Sequence, residues 1–281
     1  MNFEQFASAH GLVIRDFKAG IITRCSTTAH PSKRNGAFYY DLDFGWVQDW
    51  AIHSEIIIWK SDKVLSPSDL QEQKKRMEAS KKAYRADQAK GQAEAAKKAD
   101  WILSQCHLDL SAYLASKGFP EMLGNMWMRD GKDPLLCVPM RVGRDLVGVQ
   151  LINPSGDKIF LKGQRCNGAE HRIGQGAMQI WVEGYATALS VAVAMNALST
   201  PCTIHVCFSA SNMQKLATEA GKGLVIADND QSQAGEKAAI ATKLPYFMPD
   251  VVGWDFCDLL KARKKFAASQ ELQKVLQFVK K

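Results

Sequence analysis

From Gln179 onward the chain alternates short apolar runs with helical stretches, and two of those runs end in acid. Ile180-Trp181-Val182 leads into Glu183-Gly184, and Leu224-Val225-Ile226-Ala227 leads into Asp228-Asn229-Asp230. Helical patterns over 185–198, 212–220 and 234–243 separate these runs from a strand TIHVCF and a weaker strand around 247–252. Such alternation predicts an α/β unit with buried, mostly parallel strands. Residues just past the carboxyl ends of parallel strands line one crevice. If the two acidic runs are neighbours, Glu183, Asp228 and Asp230 converge on one rim. Carboxylates that close raise one another's pKa unless a cation lies among them. Magnesium fits, because it takes oxygen ligands and is shared between a few carboxylates and substrate phosphates. The expected chemistry is therefore phosphoryl transfer rather than acyl or hydride transfer. Gly184 lets a phosphate approach the backbone, and Gly235 is expected to leave helix N–H groups free for an anion.

Composition narrows the partners. The net charge of +7 over 281 residues favours an anionic partner, nucleic acid first, although a mildly basic balance also occurs without one. Seven cysteines, at 25, 106, 137, 166, 202, 207 and 257, form no CxxC pair, which argues against a zinc ribbon or a disulfide framework. Reduced thiols in a cytoplasmic protein are the expectation. The first residues, MNFEQFASAHGLVIRDFK, carry early acid and no long apolar core, so a signal peptide is not expected, nor is a membrane span.

The chain divides into five stretches by composition. Residues 1–65 read as a small β-rich module with strands in IITRC, GAFYYDLD, GWVQDWA and EIIIWK, and Asn35-Gly36 has the signature of a tight hairpin. Tyr39, Tyr40, Trp46 and Trp50 serve either as its core or as stacking surfaces for bases. Residues 66–105 are rich in Lys, Glu, Ala, Gln and Arg, start at Ser66-Pro67-Ser68-Asp69, and predict a long solvated helix or a helical hairpin interrupted at Gly91. Residues 106–176 form a basic section: a helix closing at Gly118, then an antiparallel meander in LLCVPMRV, LVGVQLIN and KIFLK. This section carries Arg141, Arg144, Lys158, Lys162, Arg165 and Arg172. Residues 177–262 are the α/β section, and 263–281 an amphipathic helix whose Leu272, Val275, Leu276 and Val279 pack on the body, with docking of a partner as the alternative. His53, His107 and His205 lack ligand spacing and read as ordinary surface or core residues.

WVEGYATALSV followed by VIADNDQSQAGEKAA resembles the Toprim domain, the catalytic fold shared by bacterial primases, type IA and II topoisomerases and some nucleases. DLVGVQLINPSGDKIFLKG, EGYATA, SASNM, ADND and WDFCDLL, in this order, further resemble primases carried by phages and plasmids, including the plasmid transfer type. RCSTTAHPSKRNGAFYYDLDFGWVQDWA resembles their small amino-terminal module, and YLASKGF the start of their central section. The resemblance thus runs from about Arg24 to Leu260. It implies a Rossmann-like Toprim domain and a primase that makes short RNA primers on single-stranded DNA from nucleoside triphosphates, with magnesium or manganese. Residue by residue it implies Glu183 for acid/base or metal work, Asp228 and Asp230 as metal ligands, and Asp255 and Asp258 as a later acidic pair. For that pair, capping the next helix is an equal alternative. Lys158, Lys162, Arg141, Arg172, Asn212 and Gly184 become the implied nucleotide- and DNA-binding residues, with Lys158 and Lys162 open to a plain exposed-strand role. Cys257 stands where the family often has Asn. With no CxxC pair and no GxxxxGK[ST] phosphate loop, a replicative helicase or another replication protein acting in trans is an implied partner. The same acids also suit a Toprim nuclease, and a non-catalytic module that recruits replication proteins is a third reading.

Overall fold

The computed structural model describes residues 1–32, 34–49, 56–63, 65–129 and 131–279. They form two compact units, Met1–Lys90 and Gly91–Lys281.

In the smaller unit, helix α1 (Phe3–Ala9) opens with a reciprocal capping box between Asn2 and Gln5. Five antiparallel strands follow in spatial order: β1 (Leu12–Val13), β2 (Thr23–Thr27), β3 (Gly36–Asp41), β4 (Phe44–Asp49) and β5 (Ile57–Lys60). Phe3, Phe6, Leu12, Phe38, Val47 and Trp59 make its core, so aromatic rings supply the burial that few aliphatics can. Tyr39 and Trp46 are buried as well, against Ala37 and Met77, which settles their role as packing. Trp50 and His53 lie outside the described residues. The tight hairpin falls at Leu42-Asp43, not at Asn35-Gly36: Asp41 pairs with Phe44, and Leu42 takes a φ of 49°. Gly36 instead starts β3, where a Cβ would stand 2.9 Å from the Cys25 sulfur.

Helix α2 runs unbroken from Pro67 to Ser104, through Gly91, so no hairpin forms. In the larger unit, its Ala99 and Ile102 cover Leu135, Cys137, Val149 and Leu151. These four belong to an antiparallel sheet ordered β10 (Lys158–Phe160), β9 (Asp145–Ile152), β8 (Lys132–Val142), β7 (Leu123–Arg129) and β6 (His107–Leu110). The three-strand meander was expected; β6 and β7 extend it. Helix α3 (Ala112–Ser116) sits between β6 and β7 in sequence and ends before Gly118 at a φ of 94°.

The second sheet is ordered β11 (His171–Ile173), β13 (Cys202–Val206), β12 (Met178–Val182), β14 (Leu224–Ile226) and β15 (Tyr246–Phe247). β12, β13, β14 and β15 are parallel and β11 is antiparallel. Alternate residues point to opposite faces. Ile180, Val182, Leu224 and Ile226 therefore join helices α4 (Tyr185–Ala197) and α7 (Phe256–Leu276) in one core. Trp181 and Val225 join α5 (Ala210–Ala220) and α6 (Ala234–Thr242) in another. Burial on both faces explains why these strands read as continuous apolar runs. The carboxyl-terminal helix is continuous with the Asp255 turn and bends at Lys264, where φ is 59°; Leu272 and Val279 pack on the body as expected. No helix among the described residues is long and apolar enough to cross a membrane.

Candidate functional site

β12 and β14 are direct neighbours, with Val182 opposite Ile226. That register sets Glu183 and Asp228 just past adjacent strand ends, as the apolar runs predicted. A polar cavity of about 370 Å³ opens there, lined by Lys117, Lys158, Lys261, Asp228, Asp255 and the Ser155-Gly156 turn, among others. Gly184 and Thr187 at the start of α4 also line it. Gly184 caps α4 without any side-chain bond, so no capping side chain takes up the first N–H groups of that helix.

Asp228 is the electrostatic centre of the site. Burial, then the negative charges of Glu183 and Asp255, push its carboxyl up to about 7, against the pull of Lys158. Its Oδ1 is buried with no hydrogen-bond partner among the described residues. Such an oxygen is satisfied in a native protein by a water, an ion or a ligand, or else stores strain. Glu183 is also raised, by burial first; Lys158 and the Ala210 N–H pull it down, while Asp230 pushes it up. Burial raises Asp255 in the same way.

Asp230 departs from the expected trio. It accepts hydrogen bonds from the Ser232 hydroxyl and from the Gly235 and Ala234 N–H groups, the latter two at 3.3 and 3.4 Å. Burial would raise its carboxyl, but these bonds hold it below the ordinary value. The anion that α6 was expected to receive at Gly235 is therefore the chain's own aspartate. Gly235 has a different reason to be glycine: a Cβ there would stand 2.5 Å from the Asp228 carbonyl oxygen. Gly235→Ala is expected to cost about 1–3 kcal/mol of stability through that clash, read by urea unfolding.

Asp255 and Asp258 form a capping box at the start of α7, with Asp258 N–H donating to Asp255 at 2.9 Å and Asp255 N–H to Asp258 at 3.2 Å. Asp258 is thus engaged in capping, whereas Asp255 caps and also lines the cavity. Among the described residues no group of three or more His, Cys, Asp or Glu side chains is arranged to hold a metal ion. The three-carboxylate cage is not formed.

The implied nucleic-acid residues separate in the same way. Lys158 lies in the site, its Nζ 3.6 Å from where a Gly184 Cβ would sit. Lys162 is exposed beyond β10 and does not line the cavity. Arg141 is exposed and donates to the Arg144 carbonyl at 3.0 Å, on the β8–β9 hairpin. Arg172 is committed to Glu170, and Asn212 is buried. Asn212 accepts from Gly168 N–H at 2.7 Å and donates to the carbonyls of Ala169 and Cys207, each at 2.8 Å, so it braces a loop instead of contacting a ligand. His205 is a buried core residue bonded to Glu170 and Gln179. Cys257 is buried, its thiol donating to the Lys117 carbonyl at 3.2 Å. Sequence reasoning missed Lys117 and Lys261, whose Nζ is held by the Ser116 carbonyl at 2.7 Å. YLASKGF gave the only local signal, and for Lys261 there was none.

No protein-family model matches the chain. Among solved structures, the chain is similar to one in the structure of bacteriophage T7 lagging-strand DNA polymerase interacting with primase domains of two gp4 subunits bound to an RNA/DNA hybrid and dTTP. Identity there is 13%, over 60% of this chain and 94% of that chain, with a TM-score of 0.42. It is also similar to a DNA primase domain from Pseudomonas aeruginosa, at 14% identity over 62% of this chain and 57% of that one, with a TM-score of 0.35. Both of these structures contain DNA primase domains.

Proposed function

We propose that the chain is a primase-type nucleotidyltransferase that joins nucleoside triphosphates into short RNA primers on single-stranded DNA. The observation that carries this reading is Asp228: a strand-end carboxylate with one buried, orphaned oxygen, in a cavity that also holds Lys117, Lys158 and Lys261. A triphosphate is strongly anionic, and three ammonium groups with the free end of α4 provide donors where its charge would lie. In the reaction a primer 3′-hydroxyl oxygen bonds to an α-phosphorus while the bond to pyrophosphate breaks. The hydroxyl proton is assigned to Glu183, the carboxylate that follows β12 beside Asp228 and whose proton affinity burial raises. Lys158, which acts on both Glu183 and Asp228, would steady the charge on the leaving phosphates.

The donor set also fits a hard divalent ion, magnesium or manganese. Such ions are held by one or two carboxylates with substrate oxygens completing the shell, and the orphaned Asp228 oxygen is the natural ligand. Asp228 would hold it, with Asp255 lining the same cavity. When bound, the ion would neutralise charge on the attacking and leaving oxygens.

Incubation with a defined single-stranded template and labelled nucleoside triphosphates tests the reading: short RNA products support it. Degradation of labelled single-stranded DNA without nucleotides would instead assign the same acids to a nuclease. Lys117→Ala and Lys261→Ala are each expected to raise KM for nucleoside triphosphates roughly tenfold or more with little change in melting temperature, as loss of a charge-assisted phosphate contact should. Steady-state kinetics over nucleotide concentration read this directly.

A further inference from the structure

The antiparallel sheet of the larger unit ends on β6, which among the described residues pairs with β7 alone. An edge strand presents unpaired N–H and C=O groups, and proteins normally blunt or cover it. Here the cover runs out. Leu110 lies opposite Leu123 and Leu108 opposite Asn125, on the sheet face that α2 covers over β8 and β9. α2 stops at Ser104, and Leu108, Leu110 and Leu123 remain 66%, 56% and 54% exposed. Trp101, on the last turns of α2, extends this strip at 55% exposure. The opposite face of β6 carries His107 and Asp109, 3.8 Å apart.

We propose that this edge is the interface of a two-fold dimer, in which β6 pairs antiparallel with β6 of a second copy about Leu108. The strand is self-complementary in one register. With Leu108 opposite its symmetry mate, each His107 faces the second copy's Asp109, and the leucine strips of the two copies merge on one face. Centring the pair on Asp109 would oppose two aspartates, which is unfavourable across strands. Slipping by one residue would set leucine against aspartate and break the alternation of faces. The contact is isologous, the usual form for a homodimer.

Sedimentation equilibrium on the full chain tests this. The wild-type chain is expected to dimerise with rising concentration. His107→Asp, which sets acid against acid twice across the two-fold axis, should weaken the dimer roughly tenfold. Leu108→Asp should do the same or more, and its exposed position lets circular dichroism confirm an unchanged fold. The double change His107→Asp with Asp109→His exchanges the two side chains and should restore the wild-type dissociation constant. A chain that stays monomeric at its solubility limit overturns the proposal. So does a dimer indifferent to Leu108→Asp, or a double variant that fails to recover.

Discussion

Asp228→Asn is expected to lower nucleotide incorporation by about 10³-fold or more, the scale seen when a preorganised charge at a reacting centre is lost. It is also expected to make the protein harder to melt. The Asp228 carboxyl titrates from 3.8 in a free chain to about 7 in the fold. Between those values the native state keeps a proton that the unfolded chain releases, so this group's contribution to stability falls as pH rises. The penalty is absent below the lower value, grows through the interval and is complete above about 7. The stability advantage of the variant should follow that curve, reaching a few kcal/mol at most on the alkaline side. Manganese added at pH 8 should raise the melting temperature of the wild-type protein and not that of the variant, because a ligand that binds only the native site stabilises it. Identical melting curves across pH, with or without manganese, would remove Asp228 from the centre of the site. Full activity in the variant would remove the proposed chemistry.

Glu170→Ala should produce a large loss of stability, about 1–3 kcal/mol, the usual cost of leaving buried hydrogen-bonding groups without their partner. Glu170 is 6% exposed. It meets His205 Nδ1 at 2.5 Å and the Arg172 guanidinium at 2.5 and 2.7 Å. Gln179 closes the other side of the ring, its Oε1 2.8 Å from His205 Nε2, while its amide nitrogen is anchored on the carbonyls of Gly176 and Ala177. Trp181 stacks on His205 with centroids 4.0 Å apart. Burial would raise the Glu170 carboxyl, but His205 and then Arg172 hold it below its ordinary value. Its contribution is therefore present above the ordinary carboxylate range and is lost as pH falls through the depressed value. Urea unfolding at neutral pH measures the loss. A change below about 1 kcal/mol, the level of an exposed pair, would show that the network is dispensable.

The strand ends were legible because burial on both faces writes an unbroken apolar run, and the acid that follows marks where the run leaves the core. What a side chain does after leaving was not legible. Asp228 and Asp230 are the same residue type two positions apart, yet one faces the cavity and the other turns back onto α6. Arg172 and Asn212 read as ligand-binding residues, but their partners, Glu170 and the 168–169 backbone, approach through tertiary packing. Lys117 and Lys261 are distant in sequence and meet only because α7 packs beside the end of α3. β6 and β11 are too short to show a period.

One interior serves both sheets of the larger unit. Leu114, Met126, Leu136, Met140 and Ile152 from the antiparallel section share a cluster with Ile180, Val182, Ile204, Leu224 and Phe256 from the parallel section. The acid-bearing rim is thus not a portable module. A fragment cut between the sections would carry a wet greasy wall on each piece, and the spacing of Asp228 from Lys117, Lys158 and Lys261 would lose its frame.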